Sequence, residues 1–233
     1  MTKMGGQPSS EPAASVLHGE WSARWRAGRT GFHQPDINPQ LLQYWPDLVP
    51  NSNASVIVPL CGKSRDMRWL HRRGHRVVGV EIVELACQAF FEEQGLCYER
   101  TQQTNFLRFE GRGEAAGLTL LCGDLFALRA EDIGPVHAWY DRAAIVALPH
   151  ALWSRYAAWV ASVLPVDGAG FMLTFEYPQA ERQGPPFSVG ISDVEAHFAA
   201  DFELKLLEQL DLTAENHFNL SRVHKHVVSL NRR

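Results

Sequence analysis

The sequence has few of the features that mark secreted, membrane-spanning or nucleic-acid-binding proteins. Its four cysteines are irregularly spaced and include no C-x-x-C pair, which argues against a disulfide framework and a zinc site. No apolar run approaches the roughly 20 residues that a membrane-spanning helix needs. The formal net charge is −4, and charges of both signs are scattered along the chain, so no nucleic-acid partner is expected. These absences favour a soluble cytoplasmic protein.

Signatures of several enzyme classes are missing as well. The ten histidines show no H-E-x-x-H spacing and the chain has no G-x-S-x-G motif, so neither a metal site nor a serine-hydrolase site is indicated. The first strand-to-helix turn has one glycine, Gly62, where a dinucleotide-binding loop has three. A phosphate-binding loop is excluded because its leading glycine would fall at Ile57. The pattern that is left after these exclusions is a nucleotide-binding type of fold whose first turn lacks a phosphate-binding loop.

Length and patterning indicate one α/β domain. The chain has 233 residues and 45% hydrophobic content, enough to bury a core and still form a cleft. Residues 1–15 are rich in Gly, Pro, Ser and Ala and contain no apolar segment of the kind found in secretion signals. We therefore predict a disordered leader at 1–15 and a single domain at 16–233.

Two helices are predicted ahead of the first strand. Large side chains recur every four residues from Leu17 to Trp25, which predicts a helix from Val16 to Ala27 with one buried face. The two tryptophans of this face indicate core packing more strongly than ligand contact when composition alone is considered. A second helix is predicted to begin at Asn38 and to end at Pro46.

An alternation of buried strands and amphipathic helices follows, which is typical of a parallel sheet. The apolar, β-branched run Ser55–Pro59 predicts a strand buried on both faces, and Arg76–Glu81 predicts its neighbour. A helix at 63–73 separates these two strands. Further elements are predicted as helices at 83–94, 153–160 and 194–198 and strands at 118–122, 136–140, 170–177 and 223–230. The weakly patterned region from Cys97 to Glu114 has no assignment.

Open parallel sheets bind ligands beyond the carboxyl ends of their strands, so the residues there are the candidate site. Glu81 lies 19 residues after Gly62 at such an end, where a carboxylate accepts hydrogen bonds from ribose hydroxyls; a solvated acid is the alternative. Asp124 follows another strand end, where its carboxylate can either accept a hydrogen bond from an adenine amino group or cap the next turn, and the sequence favours neither role. Arg142, which follows Asp141, suits an ion pair or a binding group, and its guanidinium cannot act as a base.

A set of short segments spread over the chain carries a family resemblance. The segments are Trp21-x-x-x-Trp25-x-x-Gly28-x-x-Gly31-Phe32-His33-Gln34, Val58-Pro-Leu-Cys-Gly-Lys-Ser64, Asp66-Met67, Gly74-His75, Val77-Val-Gly-Val-Glu81, Asp141-Arg142 and Gly184-Pro-Pro-Phe187. Together they resemble the thiopurine S-methyltransferase family, over nearly everything after the leader. The resemblance implies a class I methyltransferase fold: a three-layer α/β sandwich around a Rossmann-like, seven-stranded, mostly parallel sheet whose last strand is antiparallel.

The resemblance also implies a methyl donor, S-adenosylmethionine, and a set of binding residues. By position, the cofactor contacts are Trp21, Leu60, Glu81, Asp124, Leu125 and Arg142. Phe32 falls near the acceptor, and the N-terminal helix would fold over the bound cofactor as a lid. The stretch His217–Arg222 departs from the family, because it keeps a histidine without the basic neighbours of the animal enzymes.

The implied reaction is methyl transfer to a thiopurine or another small aromatic thiol, with S-adenosylhomocysteine as product and no metal. Methylation of selenium or tellurium compounds, associated with bacterial relatives, is the alternative acceptor chemistry. A nicotinamide-dependent oxidoreductase is a rival class that the missing glycines oppose, and a non-catalytic nucleoside-binding protein is another. The partner is therefore expected to be a small molecule, and the chain is expected to be a monomer.

Overall fold

A single nine-stranded sheet organises the chain. The structure is a computed structural model that describes residues 14–215 and 218–233. The strands are β1 (Ser55–Pro59), β2 (Arg76–Glu81), β3 (Tyr98–Gln102), β4 (Leu107–Gly111), β5 (Leu118–Cys122), β6 (Ala138–Asp141), β7 (Ala169–Glu176), β8 (Phe202–Asp211) and β9 (His224–Arg232). Their spatial order is β3-β4-β5-β2-β1-β6-β7-β9-β8. The chain adds strands on one side of β1 and then on the other, so the strand order reverses between β1 and β6.

The centre of the sheet is parallel and buried on both faces. β1 pairs in parallel with β2 and β6, β2 with β5, and β6 with β7. Every residue of β1, β5 and β6 is buried, which is the environment that unbroken apolar runs predict. β9 runs antiparallel to both of its neighbours, β7 and β8. The antiparallel last strand predicted from the sequence is therefore confirmed.

Helices cover both faces of the sheet. They are α1 (Ala14–Arg26), α2 (Pro39–Leu48), α3 (Arg65–Arg72), α4 (Glu84–Glu92), α5 (Ala130–Ile133), α6 (Ala144–Ala147), α7 (Trp153–Val163) and α8 (Ile191–Phe198). Val56 and Val58 belong to the hydrophobic cluster that contains α2, α3 and α4, whereas Ile57 belongs to the cluster that contains α7 and α8. Alternate residues of one strand thus enter separate cores, as the pleat requires, and the predicted three-layer sandwich is confirmed.

The sheet has two strands more than the seven that the resemblance implied. The region from Cys97 to Glu114, which had no assignment, forms the antiparallel hairpin β3–β4 beside β5. β3 is the outermost strand, and four of its five residues are exposed, so its polar sequence Tyr-Glu-Arg-Thr-Gln gives no apolar pattern. Backbone hydrogen bonds to β4 define this strand instead. The other seven strands form the sheet that the resemblance predicts.

Several helix boundaries differ from the predicted ones by one to three residues. α2 continues two residues past Pro46, because a proline near a helix end has a helical φ and loses only one backbone hydrogen bond, while Trp45 beside it is fully buried. α1 begins at Ala14, before the predicted start. Residues 1–13, most of the predicted leader, lie outside the described residues, as do Asn216 and His217. Among the described helices, none has the length and apolarity needed to cross a membrane.

Candidate active site

A cleft lies at the carboxyl ends of β1, β2 and β5. It is lined by Leu17, Trp21, Leu60, Val80, Glu81, Ile82, Gly123, Asp124, Leu125, Phe126 and Leu148. Five of the seven residues predicted to form the site are in this set, and they come from four separate segments of the chain. The lining is mostly apolar, and its charged members are two acids, Glu81 and Asp124. Such a surface suits a neutral or cationic nucleoside better than a phosphate group.

The Glu81 carboxylate is buried and joins the ends of the first two strands. Its Oε2 atom accepts a hydrogen bond of 2.9 Å from the backbone N–H of Gly62, and Oε1 accepts one of 2.8 Å from that of Val83. Burial raises the pKa of Glu81, and the backbone donors oppose that shift. A carboxylate has about four acceptor positions, so two hydroxyl donors can still be accommodated. Sequence spacing predicts Glu81 as a ribose contact but does not reveal that its carboxylate also holds the first turn.

The first turn is shaped by backbone conformation and by packing against α1. Leu60 has φ of +47° and Gly62 has φ of +53°, both in the left-handed region that favours glycine. A Cβ atom at Gly62 would come within 3.3 Å of the Trp25 ring. Gly62 is therefore required by its positive φ and by a close aromatic neighbour, rather than by a phosphate. Leu60, a non-glycine residue in a strained conformation, lines the cleft itself.

Asp124 caps the turn that follows β5. Its Oδ1 atom accepts a hydrogen bond of 3.0 Å from the backbone N–H of Phe126, so the capping alternative considered from the sequence describes its contact in this structure. The residue also lines the cleft, next to the buried Leu125. A carboxylate in this position keeps acceptor capacity for a donor in the cleft.

Asp141 and Arg142, adjacent in sequence at the end of β6, point to different partners. Asp141 is fully buried and accepts hydrogen bonds from the Tyr156 hydroxyl at 2.7 Å and from the Ala144 backbone N–H at 2.8 Å. Burial raises the pKa of Asp141 to about 6, with its hydrogen bonds acting in the opposite direction. Asp141 thus fixes the turn after β6 from its buried side. It does not form an ion pair with Arg142 in the described contacts.

Arg142 is held by a carboxylate that sequence reasoning did not assign to the site. Its Nε atom lies 3.3 Å from Oδ2 of Asp66, a residue in the first turn of α3 that is only 2% exposed. The same oxygen accepts a hydrogen bond of 2.9 Å from the Tyr140 hydroxyl, and Oδ1 accepts one of 2.9 Å from the Asn38 backbone N–H. Asp66 therefore connects α2, α3 and β6 behind Arg142.

Asp66 gave only a weak signal in the sequence. An acid in the first turn of a helix is favourable for the helix dipole alone, so position does not distinguish a dipole partner from a buried anchor. The buried Tyr140 and Asp66 are 74 positions apart, and only the strand arrangement brings them together. The pKa of the Tyr140 hydroxyl is raised well above its usual value, mainly by burial and then by the Asp66 charge, so this group donates a hydrogen bond at neutral pH.

Phe32 joins the Arg142 region to the cleft. Its ring makes edge contacts with Trp21 and Trp25, with centroid separations of 5.6 and 5.7 Å, and its backbone carbonyl accepts a hydrogen bond of 3.2 Å from Nη1 of Arg142. The two tryptophans of α1 belong to one hydrophobic cluster with Val83 but differ in their exposure. Trp25 is buried against Val83, whereas Trp21 lines the cleft. All seven predicted residues are thus in or beside one site.

The chain is similar to known proteins over most of its length. The model of the family "Thiopurine S-methyltransferase (TPMT)" matches residues 16–233. The chain is 41% identical over 196 residues to the thiopurine S-methyltransferase of Shewanella pealeana, an alignment that covers 84% of this chain and 88% of the relative. It is 44% identical over 192 residues to that of Xanthomonas campestris pv. campestris, with coverages of 82% and 86%.

A solved structure supports the fold. The 1,6-didemethyltoxoflavin-N1-methyltransferase of Burkholderia thailandensis, with 1,6-didemethyltoxoflavin and S-adenosylhomocysteine bound, covers 100% of this chain and 99% of its own with a TM-score of 0.60 and 15% identity. The class of enzyme and the methyl donor predicted from the sequence, S-adenosylmethionine, are confirmed by the family match. The chain belongs to the thiopurine S-methyltransferase family.

Proposed function

We propose that this protein transfers the methyl group of S-adenosylmethionine to the sulfur of a thiopurine or another small aromatic thiol and releases S-adenosylhomocysteine. The observation that carries the proposal is the cleft at the ends of β1, β2 and β5, which gathers five of the predicted cofactor contacts. Phe32 and Arg142 adjoin it through Trp21. Nucleoside-binding and acceptor-side groups are therefore neighbours.

The residues present fit a nucleoside cofactor without phosphates. We assign the ribose hydroxyls to the free acceptor positions of Glu81 and the adenine to Asp124 and Leu125, with Leu60 and Trp21 packing on the cofactor. These groups lie around one cleft whose charged lining residues are acids. A pyrophosphate would be repelled there, which disfavours a nicotinamide dinucleotide. Arg142 is the nearby cation, available for the cofactor carboxylate or for an acceptor anion.

The chemistry needs alignment more than acid–base groups. When bound, S-adenosylmethionine supplies a methyl carbon on a sulfonium, whose neutral thioether is the leaving group. The acceptor sulfur attacks as the thiolate, after its proton has passed to solvent, so charge is neutralised in the transfer and apolar walls that exclude water favour the reaction. Holding the two reactants in line can contribute roughly 7–11 kcal/mol. Phe32 and Trp21 form such walls in our assignment, and Arg142, held by Asp66, stabilises an anionic acceptor.

We further propose that α1 closes the cleft as a lid. Leu17 and Trp21 of this helix line the cleft, and its only fully enclosed tryptophan, Trp25, packs against Val83 at the start of α4. The helix therefore has one anchored side chain and two that face the ligand space. A lid of this kind would keep water from the sulfonium during transfer.

The first test is calorimetric titration with S-adenosylmethionine, followed by an assay of S-adenosylhomocysteine release with 6-mercaptopurine. Trp21→Ala should weaken cofactor binding about 10-fold, because a half-buried aromatic wall is lost. Trp69→Ala is the matched control, since Trp69 is also partly exposed but lies on α3 beside Arg73, outside the cleft. Equal binding by both variants would remove Trp21 from the site.

The acceptor assay separates the remaining alternatives. Turnover with 6-mercaptopurine supports the thiol acceptor. Cofactor binding without thiol turnover, together with methylation of a selenol, would replace it by the selenium or tellurium chemistry. Binding without any turnover would favour a nucleoside-binding protein that is not an enzyme. We also propose a monomer, which sedimentation in the presence and absence of cofactor would test.

A further inference from the structure

Three side chains that carry metal-binding atoms meet where β7 ends and β9 begins. Glu176 is the last residue of β7 and pairs directly with His224 of β9, while His226 lies two residues further along the same strand. Residues two apart in a strand, and residues directly opposite in an antiparallel pair, project from the same face of a sheet. The three side chains therefore share one face, and their ligand atoms lie within 4.8 Å of one another.

The spacing of these atoms is close to that of a bound metal site. Nε2 of His226 is 3.5 Å from Oε2 of Glu176. Four ligands arranged tetrahedrally around Zn²⁺, at about 2.0–2.2 Å from the metal, are themselves separated by about 3.4 Å. The His226 and Glu176 ligand atoms are thus already at the separation that a shared metal ion requires. The third ligand, from the half-buried His224, needs to move by about an ångström, which a side-chain rotation provides.

Each imidazole ring is oriented by a neighbour at its other nitrogen. Nδ1 of His226 lies 3.5 Å from the Thr174 hydroxyl, and Nδ1 of His224 lies 3.5 Å from the side-chain amide of Gln209. The Thr174 hydroxyl can accept a hydrogen bond from Nδ1–H of His226, which leaves Nε2 of that ring free to bind a metal. For His224 the same tautomer requires the amide oxygen of Gln209, rather than its nitrogen, to face Nδ1. Metal-ligating histidines usually have a hydrogen-bonding partner at the nitrogen remote from the metal, because that partner fixes the tautomer and the ring plane.

The surroundings of the cluster allow a cation to enter. His226 is 2% exposed, and its Nε2 atom faces the Glu176 carboxylate at the base of the cluster. The Arg222 guanidinium lies 3.9 Å from Glu176, but it is 57% exposed and can turn into solvent. Asp211 also faces His224 and adds negative charge. Gly190 packs on the carboxylate, since a Cβ there would be 3.1 Å from Oε2.

We propose that Glu176, His224 and His226, none of which lines the methyl-donor cleft, bind one divalent transition-metal ion. Two imidazole nitrogens and one carboxylate oxygen form a ligand set that suits Zn²⁺, with a fourth position open to water. Mg²⁺ and Ca²⁺ prefer all-oxygen sites and fit it less well. A bound ion would link the carboxyl end of β7 to the first residues of β9. The proposal extends beyond the methyl-transfer function and does not depend on it.

The test is a titration of the tag-free, chelator-treated full-length protein with Zn²⁺, using calorimetry, and with Co²⁺, using visible absorption. We expect one Zn²⁺ per chain and the d–d absorption of Co²⁺ in a nitrogen and oxygen environment. Glu176→Gln and His224→Gln should each weaken Zn²⁺ binding at least about 10-fold, because each removes a direct ligand. Both side chains are partly exposed, so these variants test the site without replacing the buried His226.

His150→Gln is the matched control, because it removes an exposed histidine that does not belong to the cluster. Its Zn²⁺ affinity should stay within about twofold of the wild-type value. Binding that is lost equally in all three variants would point to a site elsewhere and overturn the proposal. Absence of saturable Zn²⁺ binding by the wild type, or unchanged affinity in both ligand variants, would overturn it too. None of these outcomes bears on S-adenosylmethionine binding, which is measured separately.

Discussion

The two sides of the site hold their acidic side chains in different ways. On the cleft side, Glu81 and Asp124 accept hydrogen bonds from the backbone, and their side chains line the space for a ligand. On the β6 side, Asp66 and Asp141 accept hydrogen bonds from tyrosine hydroxyls in addition to backbone N–H groups and are almost completely enclosed. Acids of the first kind can be shared with a ligand, whereas acids of the second kind are fixed parts of the framework. Substitutions on the two sides should therefore have different consequences.

The largest effect is expected at Asp66. Asp66→Ala leaves Arg142, the Tyr140 hydroxyl and the Asn38 backbone N–H without their shared acceptor. Removing one partner of a buried charged network costs about 3–5 kcal/mol, and urea unfolding would measure this loss. Asp66→Asn keeps an acceptor oxygen and should lose less. If Asp66→Ala lowered the free energy of unfolding by less than about 1 kcal/mol, the acids of the β6 side would not be fixed parts of the folded framework.

Asp141 should give the next largest effect, as a pH dependence. Its pKa rises from 3.8 in the unfolded chain to about 6 in the folded one, because burial disfavours the charged form. The native state therefore binds a proton more tightly than the unfolded state. The resulting stabilisation is complete below about pH 4 and is lost as the pH rises through 6, a change of roughly 3 kcal/mol at about 1.36 kcal/mol per unit.

The measurement for Asp141 is the difference in unfolding free energy between the wild type and Asp141→Asn across that pH range. Other carboxyl groups titrate in the same window, and the difference between the two proteins removes their contribution. The wild type should lose stability relative to the variant between pH 4 and 6. A pH-independent difference would show that the carboxyl group has the same pKa in both states.

On the cleft side, Glu81→Gln should affect binding more than folding. The amide keeps the size of the side chain but replaces one of the two acceptors for the Gly62 and Val83 N–H groups. Hydrogen bonds to a charged group contribute about 1.5–3 kcal/mol, so S-adenosylmethionine affinity should fall roughly 10- to 150-fold. Calorimetry with cofactor and urea unfolding without it would separate the two effects. If Glu81→Gln lowered the free energy of unfolding as much as Asp66→Ala does, the cleft side and the β6 side would not differ in the way described.

The contrast between the sides also explains what the sequence could predict. β1, β2 and β5 were predicted to within a residue because burial on both faces leaves an unbroken apolar pattern. β3 was missed because an edge strand needs no apolar residues. Glu81 was found from its spacing after Gly62. The partnership of Asp66 with Tyr140, and that of Glu176 with His224, depends on pairing between distant segments, which spacing does not encode.

The smallest effect is expected at Phe32, on the boundary between the sides. Phe32→Leu removes two edge contacts with the tryptophans of α1, each contributing about 0.5–1.5 kcal/mol, but the ring is already 36% exposed, so little folding free energy is lost. Steady-state kinetics should show a several-fold higher KM for 6-mercaptopurine, since an acceptor wall is altered, with a smaller change in cofactor affinity. The backbone carbonyl that accepts from Arg142 is unaffected by the substitution, so Arg142 stays in place. If cofactor affinity fell and the acceptor KM did not change, Phe32 would belong to the lid over the cleft rather than to the acceptor side.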